Sequence, residues 1–292
     1  MKDDRKSIFI LLVLSFLFSC GLTPQHTISE KPVTPPVNSI SEKARRSTVV
    51  IVSWTGTKIA YGSGFFVAAD KIATNIHVVA RPGPIFAKSV DGKTIWAVDG
   101  VTAYDAKNDL VVLKIAGESA PLSLDDSDKV QTGEPIIAMG YPGGEYKVMH
   151  GTIGSSRKIY KWIRMKVDTA VGSSGGPVLN MDGQVIGIIV GYGDDAFHSY
   201  AIPANVLKKL LAKSDSIESL VEWRKRDFIR AHAYHVQGQK KYRSRDYKEA
   251  IADFDKAIQL NPDVAFAYYN RGTAKFRLAE SEHAHGNSQK AR

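Results

Sequence analysis

The chain has 292 residues, 43% of them apolar and 24% charged, with a formal charge of +9 and one cysteine; this is enough to bury a full core and to hold one larger domain plus a smaller one. Its basic residues are scattered through Arg45-Arg46, Lys208-Lys209, Arg224-Lys225-Arg226 and Lys240-Lys241 without interleaved stacking aromatics, so they read as solvated surface with at most weak attraction to anionic headgroups, and nucleic acid is excluded as a partner. With no metal-ligand spacing and no Gly-x-x-x-x-Gly-Lys-Ser/Thr phosphate loop, neither metal nor cofactor is expected.

Residues 1–20 have the layout of a secretory signal: Met1-Lys2-Asp3-Asp4-Arg5-Lys6, then the apolar run Ile8 to Phe18, then Ser19-Cys20-Gly21. The run is too short to span a bilayer. Leu17-Phe18-Ser19-Cys20 resembles a bacterial lipobox, with Phe18 bulkier than the usual small residue. That resemblance implies lipidation of Cys20 and an exported, membrane-anchored protein of the cell envelope; the alternative is an ordinary signal peptide that discards Cys20. Either way a lone cysteine leaves no intramolecular disulfide. Residues 21–45, with Pro32, Pro35 and Pro36, read as a flexible linker.

From Thr48 to Pro203 short β-branched runs alternate with turns. Strands are expected over 48–54, 61–67, 85–90, 94–98, 110–115, 135–139, 146–153, 160–167 and 184–190, with Asp91-Gly92 as a hairpin turn. Three polar residues stand out in this region. His77 lies in Thr74-Asn75-Ile76-His77-Val78-Val79, carried from a strand into a loop. Asp109 follows the polar turn Asp105-Ala106-Lys107-Asn108. Ser174 lies in Gly172-Ser173-Ser174-Gly175-Gly176-Pro177. A serine hydroxyl is a poor nucleophile unless a histidine takes its proton and a carboxylate fixes that histidine's tautomer. Each residue alone reads as ordinary core, surface or turn; their order and joint appearance point to a triad. The remaining histidines, His26, His150, His198, His232, His235, His283 and His285, read as structural or solvated.

The order His, Asp, Ser is that of chymotrypsin-like enzymes. The three motifs, with Gly140-Tyr141-Pro142-Gly143, Asp182-Gly183-Gln184-Val185-Ile186-Gly187-Ile188 and Tyr200-Ala201-Ile202-Pro203, resemble the trypsin-like serine proteases of the HtrA/Deg type over residues 46–212. The resemblance implies a mainly β, two-barrel chymotrypsin-like fold with His77 and Asp109 on the first barrel and Ser174 on the second. It implies an oxyanion hole from the backbone N–H groups of Gly172 and Ser174, and pairing of an extended polypeptide substrate with Ile189, Val190 and Gly191. Asp168 precedes Ser174 by six residues, the offset of the aspartate that selects Lys or Arg in trypsin-type pockets; HtrA/Deg-like chains also carry a non-selecting aspartate near here. Ile189 stands where glutamyl-specific relatives have histidine, which argues against an acidic preference.

Past Pro203 the period becomes helical. Val206, Leu210 and Leu211 mark a helix closing the domain, and residues 213–230 read as a connecting helix starting near Asp215 and Glu218, with Ile217, Leu220, Val221 and Phe228 as its buried stripe. Residues 231–292 resemble tetratricopeptide repeats, with Tyr234, Gly238, Ala250, Phe254, Ala257 and Pro262 at signature positions and a second copy opening at Ala265, Tyr268 and Gly272. The second copy loses its pattern after Ala279. An incomplete array implies docking on the protease domain or truncation of a longer parent; the repeats either offer a site for a protein partner or form a helical hairpin that merely packs against the barrels. The expected function is an exported serine endopeptidase acting on extended or misfolded polypeptides; the alternative is a latent protease-fold scaffold binding partners through its repeats.

Overall fold

The computed structural model describes residues 37–55, 58–159, 162–192, 199–213 and 216–290. The signal segment with Cys20, and the positions Tyr160, Asp215 and His198, lie outside the described residues. Among those described, no helix is long and apolar enough to cross a membrane.

Two six-stranded antiparallel barrels follow one another. The first contains β1 (Thr48–Thr55), β2 (Lys58–Ala68), β3 (Lys71–Asn75), β4 (Ile85–Lys88), β5 (Ile95–Asp105) and β6 (Leu110–Ile115), closed in the order β1-β2-β3-β6-β5-β4. The second contains β7 (Pro135–Gly140), β8 (Lys147–Ile159), β9 (Trp162–Lys166), β10 (Pro177–Leu179), β11 (Val185–Tyr192) and β12 (Ser199–Pro203), closed as β10-β11-β12-β9-β8-β7. Closure pairs every edge, and each strand turns one set of side chains inward. Phe66, Ile72, Val111 and Leu113 fill the first barrel, Ile136, Ile153, Met165 and Ile189 the second. A third cluster, including Phe65, Leu110, Met139 and Ile188, packs the barrels together.

The Asp91-Gly92 turn joins β4 to β5 as expected, with Ser89 N donating to Thr94 O and Gly92 at φ +71°. Strands β3, β10 and β12, three to five residues long, are absent from the sequence-based strand set.

The linker reading fails at its C-terminal end. Val37–Arg45 forms a helix, α1, whose Ile40 and Ala44 are buried in the inter-barrel cluster. These two residues lie four apart, on one helix face, and the proline-rich residues ahead of them hide the pattern.

Helix α2 (Ile76–Val79) is a single turn between β3 and β4, and α3 to α7 lie past the barrels. The others are α3 (Ala204–Leu211), α4 (Leu220–Arg224), α5 (Asp227–Arg243), α6 (Tyr247–Leu260) and α7 (Ala265–Lys290). The connecting helix begins later than expected. Glu218 is extended and exchanges two 2.8 Å backbone hydrogen bonds with Val101, and the helix starts only after Ser219, whose hydroxyl accepts from Glu222 N. Ile217 and Val221 are therefore exposed and Trp223, not they, is the buried anchor.

Helices α5 and α6 form the first repeat hairpin. Gly238 permits the close approach: a Cβ there would lie 2.6 Å from the Phe254 ring. Helix α7 runs on through the polar stretch 281–287, which contains no proline to stop it. The helices dock on both barrels: Phe228 stacks on Tyr104 of the first at 5.0 Å, and Phe266 stacks on Trp162 of the second at 4.9 Å.

Candidate active site

His77 is delivered by β3 into the single helical turn α2, rather than the loop expected. Asp109 follows a 3-10 turn, Ala106–Asn108, capped by Asp105, whose carboxylate accepts from Asn108 N. Asp109 itself is left-handed, at φ +55° and ψ +40°, a conformation that aspartate tolerates better than most side chains. This aims all three of its oxygens at residues 75–77. The backbone carbonyl accepts from Asn75 Nδ2 at 3.0 Å and from Ile76 N at 3.1 Å; Oδ1 accepts from His77 N at 3.0 Å, and Oδ2 from His77 Nδ1 at 2.5 Å. Because a carboxylate only accepts, the ring proton sits on Nδ1 and Nε2 is left with its lone pair.

Burial alone would raise the Asp109 pKa. The charge and hydrogen bonds of His77, with a further contribution from His232, outweigh it and hold the carboxyl below the ordinary aspartate value.

The serine lies between β9 and β10. Gly172 has φ +106°, and a Cβ there would come 2.3 Å from Tyr141 O, so only glycine fits. Val171 O accepts from Gly143 N at 3.0 Å. A trans peptide points its N–H away from its C=O, so the Gly172 N–H faces away from Gly143. Among the described residues neither Gly172 N nor Ser174 N has a backbone acceptor, whereas Ser173 N, Gly175 N and Gly176 N donate to Ala170, Ile189 and Ser173 carbonyls. Ser174 Oγ donates to Val190 O at 3.4 Å, and no hydrogen bond joins it to His77.

Ser63 of β2, which sequence reasoning passed over, ties this loop to the first barrel. Its hydroxyl donates to Gly172 O at 2.7 Å and accepts from Tyr141 N at 2.9 Å; its N–H donates to Ser174 O at 2.8 Å; its carbonyl accepts from Thr74 Oγ1 at 2.7 Å. Thr74 is three residues from His77, and a Cβ on Gly175 would lie 2.4 Å from its hydroxyl. The serine loop and the histidine segment are thus neighbours across the barrel interface.

A register shift in β11 between Ile189 and Gly191 leaves Val190 out of the β12 pairing. Ile189 is buried, and both its N–H and C=O are taken by the serine loop. Only the backbone beyond it is left to meet an extended chain. Asp168 is exposed between buried Val167 and Thr169; Thr169 bonds Ser199 inside the barrel. The alternation that turns Thr169 inward turns Asp168 outward, which does not fit the floor of a selectivity pocket. The second residue missed is His232 of α5, which meets Asp109 from behind; 123 positions apart, the pair has no sequence signature.

Among the described residues no cluster of three His, Cys, Asp or Glu could hold a metal. Two closed barrels, with a histidine–aspartate pair on the first and a Gly-x-Ser-Gly-Gly-Pro loop on the second, are the architecture of the trypsin-like peptidase fold. Residues 62–188 match the trypsin-like peptidase domain family, and residues 238–278 match the TPR repeat.

Over these segments the chain is similar to serine proteases of the HtrA type and, towards its C-terminal end, to tetratricopeptide repeats. It is 37% identical over 136 residues to a probable periplasmic serine endoprotease, DegP-like, of Hahella chejuensis, covering 44% of this chain and 29% of that one. To the protein of the same description from Chlamydia pneumoniae it is 37% identical over 164 residues, 51% of this chain and 33% of the relative. Bovine mitochondrial serine protease HTRA2 is 35% identical over 175 residues, 55% and 38% of the two chains. The chain thus spans well under half the length of these relatives. The active form of the Mycobacterium tuberculosis protease Rv3671c superposes with a TM-score of 0.56 at 25% identity, over 62% of this chain and 86% of that one.

Proposed function

We propose that the chain is an endopeptidase in which Ser174 attacks the scissile carbonyl, His77 Nε2 takes the hydroxyl proton, and Asp109 holds the Nδ1–H tautomer and stabilises the imidazolium. The tetrahedral oxyanion is received by the N–H groups of Gly172 and Ser174. Collapse returns the proton to the leaving amine and leaves an acyl-Ser174 ester, which water hydrolyses by the same route. The observation that carries this reading is the Asp109–His77 pair, which leaves a basic nitrogen bare beside a serine loop with two undirected N–H donors. In this reading a rotation about χ1 swings Ser174 Oγ from Val190 O to His77; such contacts often tighten only with substrate.

An extended or misfolded polypeptide is the substrate class, aligned on the β11 backbone at Val190 and Gly191. The description of the bacterial relatives as periplasmic supports a location in the periplasm or envelope, with Cys20 as the site of a lipid anchor. The peptidase unit occupies about residues 46–212, residues 213–230 connect, and residues 231–292 supply the repeats, whose outer faces offer a protein partner a surface. The Ser174–Val190 hydrogen bond favours a second reading, a latent enzyme acting as a scaffold.

Incubation with a permanently unfolded protein tests the choice. New peptide termini should appear and be absent with Ser174→Ala; intact substrate under all conditions would favour the scaffold. Labelled fatty acid should enter the parent and not Cys20→Ala.

A further inference from the structure

We infer that His232, on the first repeat helix α5, is a positioning residue for the Asp109 carboxylate, so that the tetratricopeptide module completes the wall behind the histidine–aspartate pair. The inference rests on the reading that Asp109 orients His77 for proton transfer.

His232 is 7% exposed, deep enough that its ring contacts are fixed by packing. Its Nε2 donates to Ala106 O at 3.2 Å, in the 3-10 turn that sets Asp109 in its left-handed conformation. Its Nδ1 lies 3.6 Å from Asp109 Oδ1, the same oxygen that accepts from His77 N. One ring therefore braces both the loop carrying Asp109 and the carboxylate itself. Because the Nε2 proton is given to Ala106 O, it is the doubly protonated ring, with a proton on Nδ1 as well, that makes the second contact attractive; a bare Nδ1 sets its lone pair against the carboxylate.

The helix that carries His232 is not free to drift. Ile229 on α5 is fully buried in the first barrel's core cluster together with Ile76 and Val79 of α2. Just ahead of α5, the Arg224 guanidinium donates from Nε and Nη2 to Val79 O, at 2.9 and 2.8 Å, and from Nη1 to Gly83 O at 2.8 Å. The module thus grips the histidine segment through Arg224 and the aspartate segment through His232. Small displacements of either partner matter, since about 1 Å of misplacement can cost on the order of a hundredfold in rate.

Three substitutions separate the two contacts of the ring. His232→Ala removes both. His232→Asn keeps an N–H near the position of Nδ1, and His232→Gln keeps one near that of Nε2. The readouts are kcat and KM on an unfolded protein substrate and, in a Ser174→Ala background, the low-field proton resonance of the His77–Asp109 hydrogen bond. The expected result is a kcat roughly ten- to a hundredfold lower in Ala and Gln with KM nearly unchanged, a displaced or broadened resonance in both, and recovery in Asn. An unchanged resonance and kcat in folded His232→Ala, or recovery in Gln but not in Asn, would overturn the assignment and leave only a structural bond to Ala106. The resonance needs no turnover, so a parent that cleaves nothing refutes the hydrolase reading while the resonance still decides the role of His232.

Discussion

Ser63 is buried with its hydroxyl shared between Tyr141 N and Gly172 O. Removing that hydroxyl leaves a donor and an acceptor stranded, each at a cost of about 1–3 kcal/mol. Ser63→Ala should therefore lower the free energy of unfolding, read from urea melts, by at least about 1–3 kcal/mol while loosening the Ser174 loop; an unchanged free energy would contradict the bonding described. Asp109 carries a pH signature. Its folded pKa is depressed, so its ionised form contributes stability that is complete above the unfolded value, about 3.9, and lost as pH falls through the folded value. The stability gap between the parent and Asp109→Asn should hold at neutral pH and close only below about pH 4; a gap that closes near pH 6 would contradict this. At this scale the pairing of His77 with Asp109 was legible because each sits in a local pattern of turn and strand residues. Ser63 and His232 were not, because their roles come from contacts with residues remote in the chain.

At the scale of single elements, α5 carries a second, half-buried imidazole. His235 packs 5.8 Å from the Phe254 ring and its Nε2 accepts from Asn270 Nδ2 at 2.8 Å. Burial, helped by the charge of His232, pushes its pKa down to about 3. The folded state holds His235 neutral while the unfolded chain protonates it below about 6.5, so the stability that neutrality confers is present above that pH and drains as pH falls toward the folded value. Denaturant melts between pH 7 and 4 should steepen toward about 1.4 kcal/mol per unit of pH, and His235→Gln should flatten that dependence; equal slopes would sink this explanation. The barrel strands were legible where β-branched and apolar residues clustered between turn signals, as in β1, β6 and β11. The three-residue β10 was not, and α1 and the start of α4 were misjudged because tertiary contacts, Ile40 in the inter-barrel cluster and Glu218 on Val101, decided them.

For the whole molecule the decisive feature is that the helical module touches both barrels, through Trp223 and Phe228 at the first and Phe266 at the second. Trp223 is fully buried, and Trp223→Ala should cost about 3–5 kcal/mol and shift the melting of barrels and helices together. Two well-separated calorimetric transitions in the parent would instead show a module that merely trails the peptidase. That the chain ends in repeat helices was legible from the spacing of Gly238, Ala250 and Phe254. That those helices pack against the Asp109 turn was not, since docking depends on surfaces that no period records.

The account depends most on Ser174 being an activated nucleophile. Treating the full chain with a fluorophosphonate probe and mapping the adduct by mass spectrometry tests this directly. A single phosphonylated residue at Ser174, lost in Ser174→Ala and falling by orders of magnitude in His77→Ala and Asp109→Asn, is the predicted result. An adduct elsewhere, or none at any pH at which the protein is folded, would contradict it.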